Sequence, residues 1–266
     1  MKKSPIGVFD SGVGGLSVLQ EIQRTLPNED VIYIADSAYA PYGNKDIDFV
    51  LQRCHNLTAF LIAQGAKAIV VACNTATAAA IQQLRDDFSV PVIGMEPGVK
   101  PAIAATQTKT VGVLATENTL LSQQFGNLLH RYAKDVKVIS QPCPGLVEQI
   151  EAGLFDNERT NALIRQYVQP LLDANADTIV LGCTHYPLIK KQIAAIAGNT
   201  VSLIETGSAV ALQLQRQLQQ QDLLSESDNN GLKQFYTSGD TDQIGRVIAT
   251  IIDSTIKAAN LPDELL

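Results

Sequence analysis

Short runs of consecutive apolar residues alternate along the chain with longer segments in which apolar residues recur three or four positions apart. The short runs are rich in Val and Ile and apolar at successive positions, which is typical of strands buried on both faces of a parallel sheet. The longer segments, such as 16–26 and 161–175, are typical of amphipathic helices. This alternation predicts an α/β fold with mainly parallel sheets and right-handed crossovers. Strands are predicted at 6–9, 31–35, 68–72, 90–95, 111–115, 136–140, 178–182 and 201–205.

The predicted strands repeat in order along the chain. Ile6 of the first strand aligns with Val111 at an offset of 105 residues, and Cys73 after the third strand aligns with Cys183 at an offset of 110. The repetition predicts two pseudo-symmetric doubly wound lobes with an active site in the cleft between them. The alternative is that the spacing reflects only the roughly 30 residues that any βαβ unit occupies.

The C-terminal part of the chain has no counterpart in this repeat. Residues 215–231 are polar and indicate a helix end that continues into an exposed loop, 234–239 indicate one more strand, and 242–259 indicate an amphipathic helix. We expect this tail to return and complete one of the lobes. The predicted domains are a first lobe of residues 1–98 and 207–266 and a second lobe of residues 99–206.

Composition and charge exclude several classes of protein. With 45% hydrophobic and 18% charged residues, the chain is globular rather than disordered. Its 27 acidic and 20 basic side chains give a net charge of −7, which argues against direct binding to nucleic-acid phosphates. No run approaches the ~20 apolar residues that cross a bilayer. The N-terminus lacks the apolar run of a signal peptide, so we expect a cytoplasmic protein without membrane contacts.

Four cysteines are candidates for chemistry: Cys54, Cys73, Cys143 and Cys183. None forms a C-x-x-C pair, and nothing in the sequence argues for a metal site. Ligands of parallel sheets collect beyond the carboxyl ends of the strands, where Cys73 and Cys183 follow the third strand of each lobe. A helix start at each position would bind a carboxylate and favour a thiolate. The alternative is that they are small buried hydrophobes, as we expect of Cys54 in mid-helix and Cys143 between prolines.

Two thiols on opposed lobes suit a stereoinversion. One base removes a proton from one face of a carbon, and the other returns a proton to the opposite face. A disulfide oxidoreductase would place its cysteines close in sequence, and a thiol hydrolase needs only one. Asp10, at the end of the first strand, and His185, two residues after Cys183, are placed to orient or tune these thiols. The alternative for each is to cap the helix that follows it.

Two further segments allow more than one interpretation. Glycines 12, 14 and 15 form a tight turn, but their G-x-G-G spacing is not the G-x-G-x-x-G of a dinucleotide site. The loop from Asp36 to Gly43 either holds an anion on its backbone amides or is a simple turn.

Four blocks of the sequence resemble the signature blocks of glutamate racemases, in order and at the family's intervals. They are IGVFDSGVGGLSV (6–18), APYGNK (40–45), VVACNTATA (70–78) and VLGCTHYPL (180–188), and the C-terminal YTSGD (236–240) also fits. The resemblance covers essentially the whole chain. It implies a cofactor-independent enzyme with two α/β lobes that interconverts L- and D-glutamate and supplies D-glutamate for peptidoglycan. It also suggests a homodimer, and a protein-level interaction with DNA gyrase of the kind reported for some members.

The resemblance assigns roles to individual residues. Cys73 resembles the base that acts on D-glutamate, and Cys183 resembles the base that acts on L-glutamate. Asp10 and His185 match residues that assist these thiols, with Glu151 as a third. The block ATENT (115–119) departs from the family's G-T-x-G-T, because Ala115 and Asn118 stand at its glycine positions. Substrate contacts are expected at Asp10, Ser11, Tyr42, Gly43, Asn74, Thr75, Thr116, Thr119, Thr184 and His185.

Two other functions stay open at this point. A racemase of the same superfamily could act on aspartate or another amino acid, and a two-lobed protein could bind a small ligand without turning it over. The paired thiols favour an enzyme over a binding protein. No Arg or Lys is among the expected contacts, so backbone N–H groups and hydroxyls would hold the substrate carboxylates.

Overall fold

The computed structural model describes residues 2–252 and 257–265. The strands are β1 (Ile6–Asp10), β2 (Val31–Ala35), β3 (Ala68–Val71), β4 (Val92–Ile93), β5 (Thr110–Ala115), β6 (Lys137–Pro142), β7 (Thr178–Leu181), β8 (Ser202–Ile204), β9 (Lys233–Thr237) and β10 (Ala258–Asn260). The helices are α1 (Leu16–Thr25), α2 (Ile47–Ala63), α3 (Asn74–Asp87), α4 (Val99–Ala105), α5 (Glu117–Leu121), α6 (Gln123–Tyr132), α7 (Leu146–Glu151), α8 (Glu158–Asp173), α9 (Lys190–Ala197), α10 (Gly207–Gln220) and α11 (Thr241–Ile251). Short 3₁₀ turns lie at Ser37–Tyr39, Tyr42–Asn44, Tyr186–Ile189 and Asp263–Leu265. Within the described ranges, no helix has both the length and the apolar character needed to cross a bilayer.

The strands form two parallel sheets with the same internal order. The first sheet runs β10-β9-β2-β1-β3-β4, and the second runs β6-β5-β7-β8. In the second sheet β5 pairs with β6 and β7 as β1 pairs with β2 and β3 in the first. The predicted α/β class with two doubly wound lobes is therefore confirmed. We call each sheet, with the helices packed on it, the first half and the second half.

Helices cover both faces of the first sheet, which is why its central strands are apolar at successive positions. In β1, Val8 belongs to the same buried cluster as Leu19 of α1. The next residue, Phe9, belongs to a second cluster with Leu57 and Leu61 of α2. Every residue of β1 is buried. This packing fixes the carboxyl end of β1, where Asp10 lies.

Two strands expected to be buried on both faces are edge strands instead. β6 and β8 end the second sheet, and their residues are exposed or half-buried. The strand predicted at 90–95 is shorter, because only Val92–Ile93 pairs with β3. Pro91 has no N–H group to donate to a ladder.

The C-terminal part completes the first sheet, as expected from its lack of a counterpart. β9 pairs with β2, and β10 pairs with β9. The prediction of a helix over 242–259 is wrong at its end, because α11 ends at Ile251 and Ala258–Asn260 forms β10. Residues 253–256 of that predicted helix lie outside the described residues. Hydrogen bonds to the free edge of β9 outweigh the helical preference of two alanines.

Candidate active site

The two candidate cysteines lie at matching places in the two halves. Cys73 follows β3 and is the N-cap of α3, where its sulfur accepts a hydrogen bond from the N–H of Ala76 at 3.5 Å. Cys183 follows β7, and its carbonyl accepts a hydrogen bond from the N–H of Tyr186 in the next 3₁₀ turn. Cys73 is 4% exposed and Cys183 is 6% exposed. The predicted position of both thiols at strand ends is confirmed.

Asp10 connects the segments that carry the two cysteines. The Cys73 thiol lies 3.7 Å from Ser11 Oγ, which donates to Asp10 Oδ1 at 3.5 Å. From the second half, Thr184 Oγ1 donates to the same oxygen of Asp10 at 3.4 Å. Because Thr184 is next to Cys183, a continuous row of side chains joins the two cysteine-bearing segments.

Burial is the main cause of the pKa shifts on the Cys73 side of the site. Burial raises the pKa of Asp10, and the neighbouring charge of His185 partly offsets this effect. Burial, and then the negative charge of Asp10, raise the pKa of the Cys73 thiol well above its usual range. A Cys73 thiolate therefore requires a compensating charge or hydrogen bonds from a ligand.

Asp10 also stabilises the turn after β1. Its Oδ2 accepts a hydrogen bond from the N–H of Gly15 at 2.7 Å, and Gly15 is the N-cap residue of α1. Among the described residues, neither the N-cap Gly15 of α1 nor His185 before the 3₁₀ turn makes a side-chain capping hydrogen bond. The capping alternative is thus wrong for His185, and Asp10 holds the turn before the helix rather than the helix itself.

His185 lies between Cys183 and Glu151. Its Nδ1 is 3.7 Å from Cys183 Sγ, and its Nε2 is 2.6 Å from Glu151 Oε1. Burial lowers the pKa of His185, but the hydrogen bonds to Cys183 and Glu151 outweigh burial and raise that pKa well above its usual value. This direction favours the protonated ring, and a protonated imidazole beside a cysteine stabilises negative charge on sulfur.

Glu151 also contacts the first half of the molecule. Its Oε1 accepts the N–H of Val13 at 2.7 Å, and its Oε2 accepts the Ser37 hydroxyl at 2.9 Å. The glycines after β1 make room for this arrangement. A Cβ on Gly12 would lie 2.0 Å from Glu151 Oε1, and a Cβ on Gly14 would lie 2.2 Å from His185 Nδ1. The turn thus admits the two side chains, which accounts for glycines at a spacing unlike that of a dinucleotide site.

Three threonine hydroxyls meet where the two halves adjoin. Thr75 Oγ1, from the start of α3, lies 2.8 Å from Thr116 Oγ1 and 3.2 Å from Thr119 Oγ1. The last two hydroxyls are 2.8 Å apart. Beside this cluster, both polar atoms of the buried Asn74 side chain lack a hydrogen-bond partner among the described residues. Buried polar groups of this kind are suited to a polar ligand.

A loop after β2 covers the threonine cluster. The Tyr42 hydroxyl donates to Asp36, which Arg53 of α2 holds with two hydrogen bonds of 3.0 and 2.6 Å. Gly43 packs against Thr116, since a Cβ on Gly43 would lie 2.5 Å from Thr116 Cβ. The alternative that this loop is a simple turn is therefore incomplete, because a buried ion pair fixes it.

Sequence reasoning missed Arg53 and Asn118. Arg53 lies on the buried stripe of α2 with Val50, Cys54 and Leu57. A cationic side chain among apolar residues on one face of a helix indicates a buried acidic partner. The sequence pattern of α2 alone could therefore have predicted an ion pair at Arg53. The hydrogen bonds from Asn118 to the loop 73 and 76 residues away left no mark on the local pattern.

The remaining two cysteines lie within packed structure. Cys54 is buried in α2, and Cys143 is buried just after β6. Burial raises the pKa of both thiols. Over residues 2–252 and 257–265, no group of three or more His, Cys, Asp or Glu side chains is arranged to hold a metal ion.

Comparisons with known proteins agree with this geometry. The profile of the Asp/Glu/Hydantoin racemase family matches residues 6–214. A glutamate racemase from Methylococcus capsulatus is 52% identical over 258 residues, which cover 97% of this chain and 95% of the relative. The solved glutamate racemase isoform RacE1 from Bacillus anthracis has a TM-score of 0.89 at 35% identity, with 99% of both chains covered. The structure of glutamate racemase from Francisella tularensis in complex with D-glutamate has a TM-score of 0.85 at 31% identity, covering 99% of this chain and 100% of that one. The chain therefore belongs to the Asp/Glu/Hydantoin racemase family, among its glutamate racemases.

Proposed function

We propose that the protein interconverts L- and D-glutamate without a cofactor, and that Cys73 and Cys183 are its two bases. The observation that carries this proposal is the equivalent position of the two cysteines after β3 and β7, joined through Asp10. The Francisella relative binds D-glutamate in its solved structure, which supports glutamate as the substrate.

The reaction balances with proton transfers alone. A thiolate at one cysteine takes the α-proton of glutamate, which leaves a carbanion-like centre at Cα. The thiol of the other cysteine then gives a proton to the opposite face, so that configuration inverts and no electrons are gained or lost. In this scheme Cys73 acts on D-glutamate and Cys183 acts on L-glutamate.

Neighbouring groups prepare each base. His185, held protonated by Glu151, lies 3.7 Å from Cys183 and provides the positive charge that a thiolate needs. On the other side, Asp10 is linked to Cys73 through Ser11 and has a raised pKa. We propose that Asp10 exchanges a proton with the Cys73 side, because a carboxyl with a raised pKa is a better match for this role near neutral pH.

The substrate is held by hydrogen bonds in this proposal. The unpartnered amide of Asn74 and the N–H groups at the start of α3 are donors for one carboxylate. Hydroxyl groups and the backbone of the covering loop supply the remaining hydrogen bonds to the substrate. Donors that are fixed before the reaction stabilise the charge that develops at Cα in the transition state. The proposed contacts are Ser11, Tyr42, Gly43, Asn74, Thr75, Thr116, Thr119 and Thr184, together with Asp10 and His185.

Turnover of L-glutamate in D₂O tests this function. The purified protein is incubated with L-glutamate, without added cofactor and with a chelator, and Cα deuteration and optical rotation are followed. We expect deuterium at Cα and decay of the rotation to zero, and carbonyl reagents that trap pyridoxal phosphate should have no effect. L-Aspartate is run in parallel. If L-aspartate racemises faster than L-glutamate, aspartate rather than glutamate is the substrate. If glutamate binds but its α-proton does not exchange, the protein is a ligand-binding protein and not a racemase.

We also propose the cellular role, the location, the oligomeric state and a protein partner of the enzyme, all from its resemblance to glutamate racemases. D-glutamate supply for peptidoglycan would place the enzyme in the cytoplasm, and depletion of the protein should then be rescued by external D-glutamate. A homodimer is tested by light scattering during gel filtration. An interaction with DNA gyrase is tested by adding the purified protein to a supercoiling assay, together with the Cys73→Ser variant to separate it from racemisation.

A further inference from the structure

Asn118 joins the two halves of the molecule beside the candidate site. It lies in α5, which follows β5 of the second sheet. Its side-chain amide nitrogen donates to the main-chain carbonyls of Tyr42 at 3.1 Å and Lys45 at 2.8 Å. An amide nitrogen has two N–H groups, so both are used. The acceptors lie at the two ends of the 3₁₀ turn Tyr42–Asn44 in the first half, and one side chain therefore holds the whole turn.

The turn belongs to a surface loop whose inner side faces the site. We call residues 37–45 the Tyr42 loop. Tyr42 and Gly43 are buried, whereas Ala38 and Asn44 are exposed. The inner residue Gly43 packs on Thr116 of the threonine cluster. The loop therefore packs against that cluster on one side, and Thr116 itself is half-buried.

Anchors from both halves fix the Tyr42 loop, and the N–H of Ala38 also donates to Ser238 Oγ at 3.2 Å. The first lies within the first half, where Asp36 accepts from the Tyr42 hydroxyl and is paired with Arg53. The second comes from the other half, where Glu151 accepts from Ser37 at the start of the loop and Asn118 donates at its end. Opening the loop end away from the second half requires the loss of both Asn118 hydrogen bonds.

A substrate can reach the cysteines only if a covering segment moves. The four side chains proposed to act on the proton, Cys73, Cys183, Asp10 and His185, are at most 6% exposed. Their closed surroundings and the position of the Tyr42 loop point to this loop as the moving segment. The two hydrogen bonds to Asn118 connect the halves at that place, so they bias the loop towards its closed position.

We propose that Asn118 is a positioning residue that latches the Tyr42 loop over bound glutamate, an inference that rests on the function proposed above. The latch lowers KM for both enantiomers, since one closed loop serves both. The latch depends on the residue type at this position, because a side chain without two N–H groups cannot donate to both carbonyls.

The test compares Asn118→Ala with Asn127→Ala. Asn127 is exposed in the neighbouring helix α6, and no side-chain hydrogen bond involves it among the described residues, so it controls for the same chemical change. Two hydrogen bonds of ordinary net strength correspond to a roughly tenfold change in an equilibrium. We expect Asn118→Ala to raise KM about tenfold for L- and for D-glutamate while kcat stays within about threefold. Asn118→Asp, which is the same size but cannot donate, should raise KM at least as much.

Hydrogen exchange of the free enzyme gives a readout that does not depend on turnover. Amides of residues 37–45 should exchange faster in Asn118→Ala, while those of β1 and β3 stay as in the wild type and in Asn127→Ala. Unchanged exchange in the loop, an unchanged KM, or a fall in kcat at constant KM would each overturn the latch. If the wild type fails to racemise glutamate, the proposed function fails, and loop exchange still decides whether Asn118 restrains the loop.

Discussion

Glu151 Oε1 is shared between two donors from different halves of the molecule, the His185 ring at 2.6 Å and the Val13 N–H at 2.7 Å. The Glu151 carboxylate therefore has two structural roles. It stabilises the protonated form of His185, and it holds the glycine turn after β1 against the second half. The same oxygen thus couples the charge of the ring to the relative position of the two cysteine-bearing segments.

Replacement of Glu151 by Gln should shift the pH dependence of racemisation. The pKa of His185 is raised in the folded protein, so the stabilising protonation is complete below about pH 6.5 and is lost as pH rises through the folded-state value. Glu151→Gln removes the negative charge beside the ring and so lowers the pKa of His185. The ring of the variant therefore loses its proton at a lower pH than that of the wild type. The ratio of variant to wild-type kcat/KM should fall as pH increases from about 6 to about 9.

The matched control for this change is Glu148→Gln. Glu148 is exposed on the same short helix, and no side-chain hydrogen bond involves it within the described ranges. Its pH profile should follow the wild type. A Glu151→Gln profile parallel to that of the wild type would mean that His185 does not titrate with catalysis.

Gly14→Ala should impair activity through His185. The added methyl group would lie 2.2 Å from His185 Nδ1, so the ring or the turn must shift and the His185–Cys183 geometry changes. A misplacement of about 1 Å in a catalytic group can cost about 100-fold in rate, and overpacking costs about 1–3 kcal/mol in stability. We expect losses of this size in kcat and in the free energy of unfolding, measured by steady-state kinetics and urea denaturation.

Gly126→Ala is the control for that experiment. Gly126 lies in α6, and a Cβ there would meet no heavy atom within 4 Å. Alanine is favoured over glycine in a helix by about 1 kcal/mol, so this variant should be as stable as the wild type or more so, with unchanged kcat. Equal losses in both variants would show that the effect of Gly14→Ala does not come from contact with His185.

The strands and the cysteine positions could be predicted because they leave local marks in the sequence. Burial on both faces makes β1, β3, β5 and β7 mostly apolar at successive positions, and the end of an apolar run locates Cys73 and Cys183. An α-helix begins directly after Cys73, whereas a 3₁₀ turn follows Cys183. The burial of β6 and β8 was predicted wrongly because their place at the edge of the sheet depends on the packing of the whole chain. The domain boundaries at 98/99 and 206/207 stay a prediction.

Side-chain partners across the cleft could not be predicted in this way. The resemblance named Glu151 and His185, but not the contact between Glu151 and the turn after β1. Hydrogen bonds of Asn118 to Tyr42 and Lys45 join segments from different sheets, and such contacts follow from tertiary packing rather than from periodicity. Arg53 is the exception, because a charged residue on a buried stripe requires a partner.

Loss of the Arg53 guanidinium should destabilise the fold. Its side chain is 8% exposed and pairs with the fully buried Asp36, and it also donates to the Leu265 carbonyl at 2.6 Å. Arg53→Met leaves Asp36 buried without a counter-charge, which costs about 3–5 kcal/mol. Thermal and urea unfolding should report this loss. Arg24→Met removes an exposed pair with Glu21 and should change stability by less than about 1 kcal/mol; similar losses in both would contradict a buried ion pair at Asp36.

Serine replacements of the two cysteines should have opposite stereochemical effects. Serine is close to cysteine in size, but it is a poor base at neutral pH, so Cys73→Ser and Cys183→Ser should each lose racemisation by several orders of magnitude while still binding glutamate. Racemisation itself cannot separate the two roles. L- and D-glutamate have equal free energy, so kcat/KM must be the same in both directions for any variant.

Elimination from glutamate analogues with a leaving group at Cβ or on nitrogen removes this constraint, because it requires only the abstraction of the α-proton. Cys183 is proposed to act on the L-enantiomer, so Cys73→Ser should retain elimination from the L-analogue and lose it from the D-analogue. Cys183→Ser should show the reverse. Cys54→Ser, at a thiol buried in α2, controls for the loss of a sulfur atom and should eliminate from both. If the Cys73 and Cys183 variants keep the same enantiomer, neither thiol is required to abstract its α-proton, and the two-base mechanism is wrong.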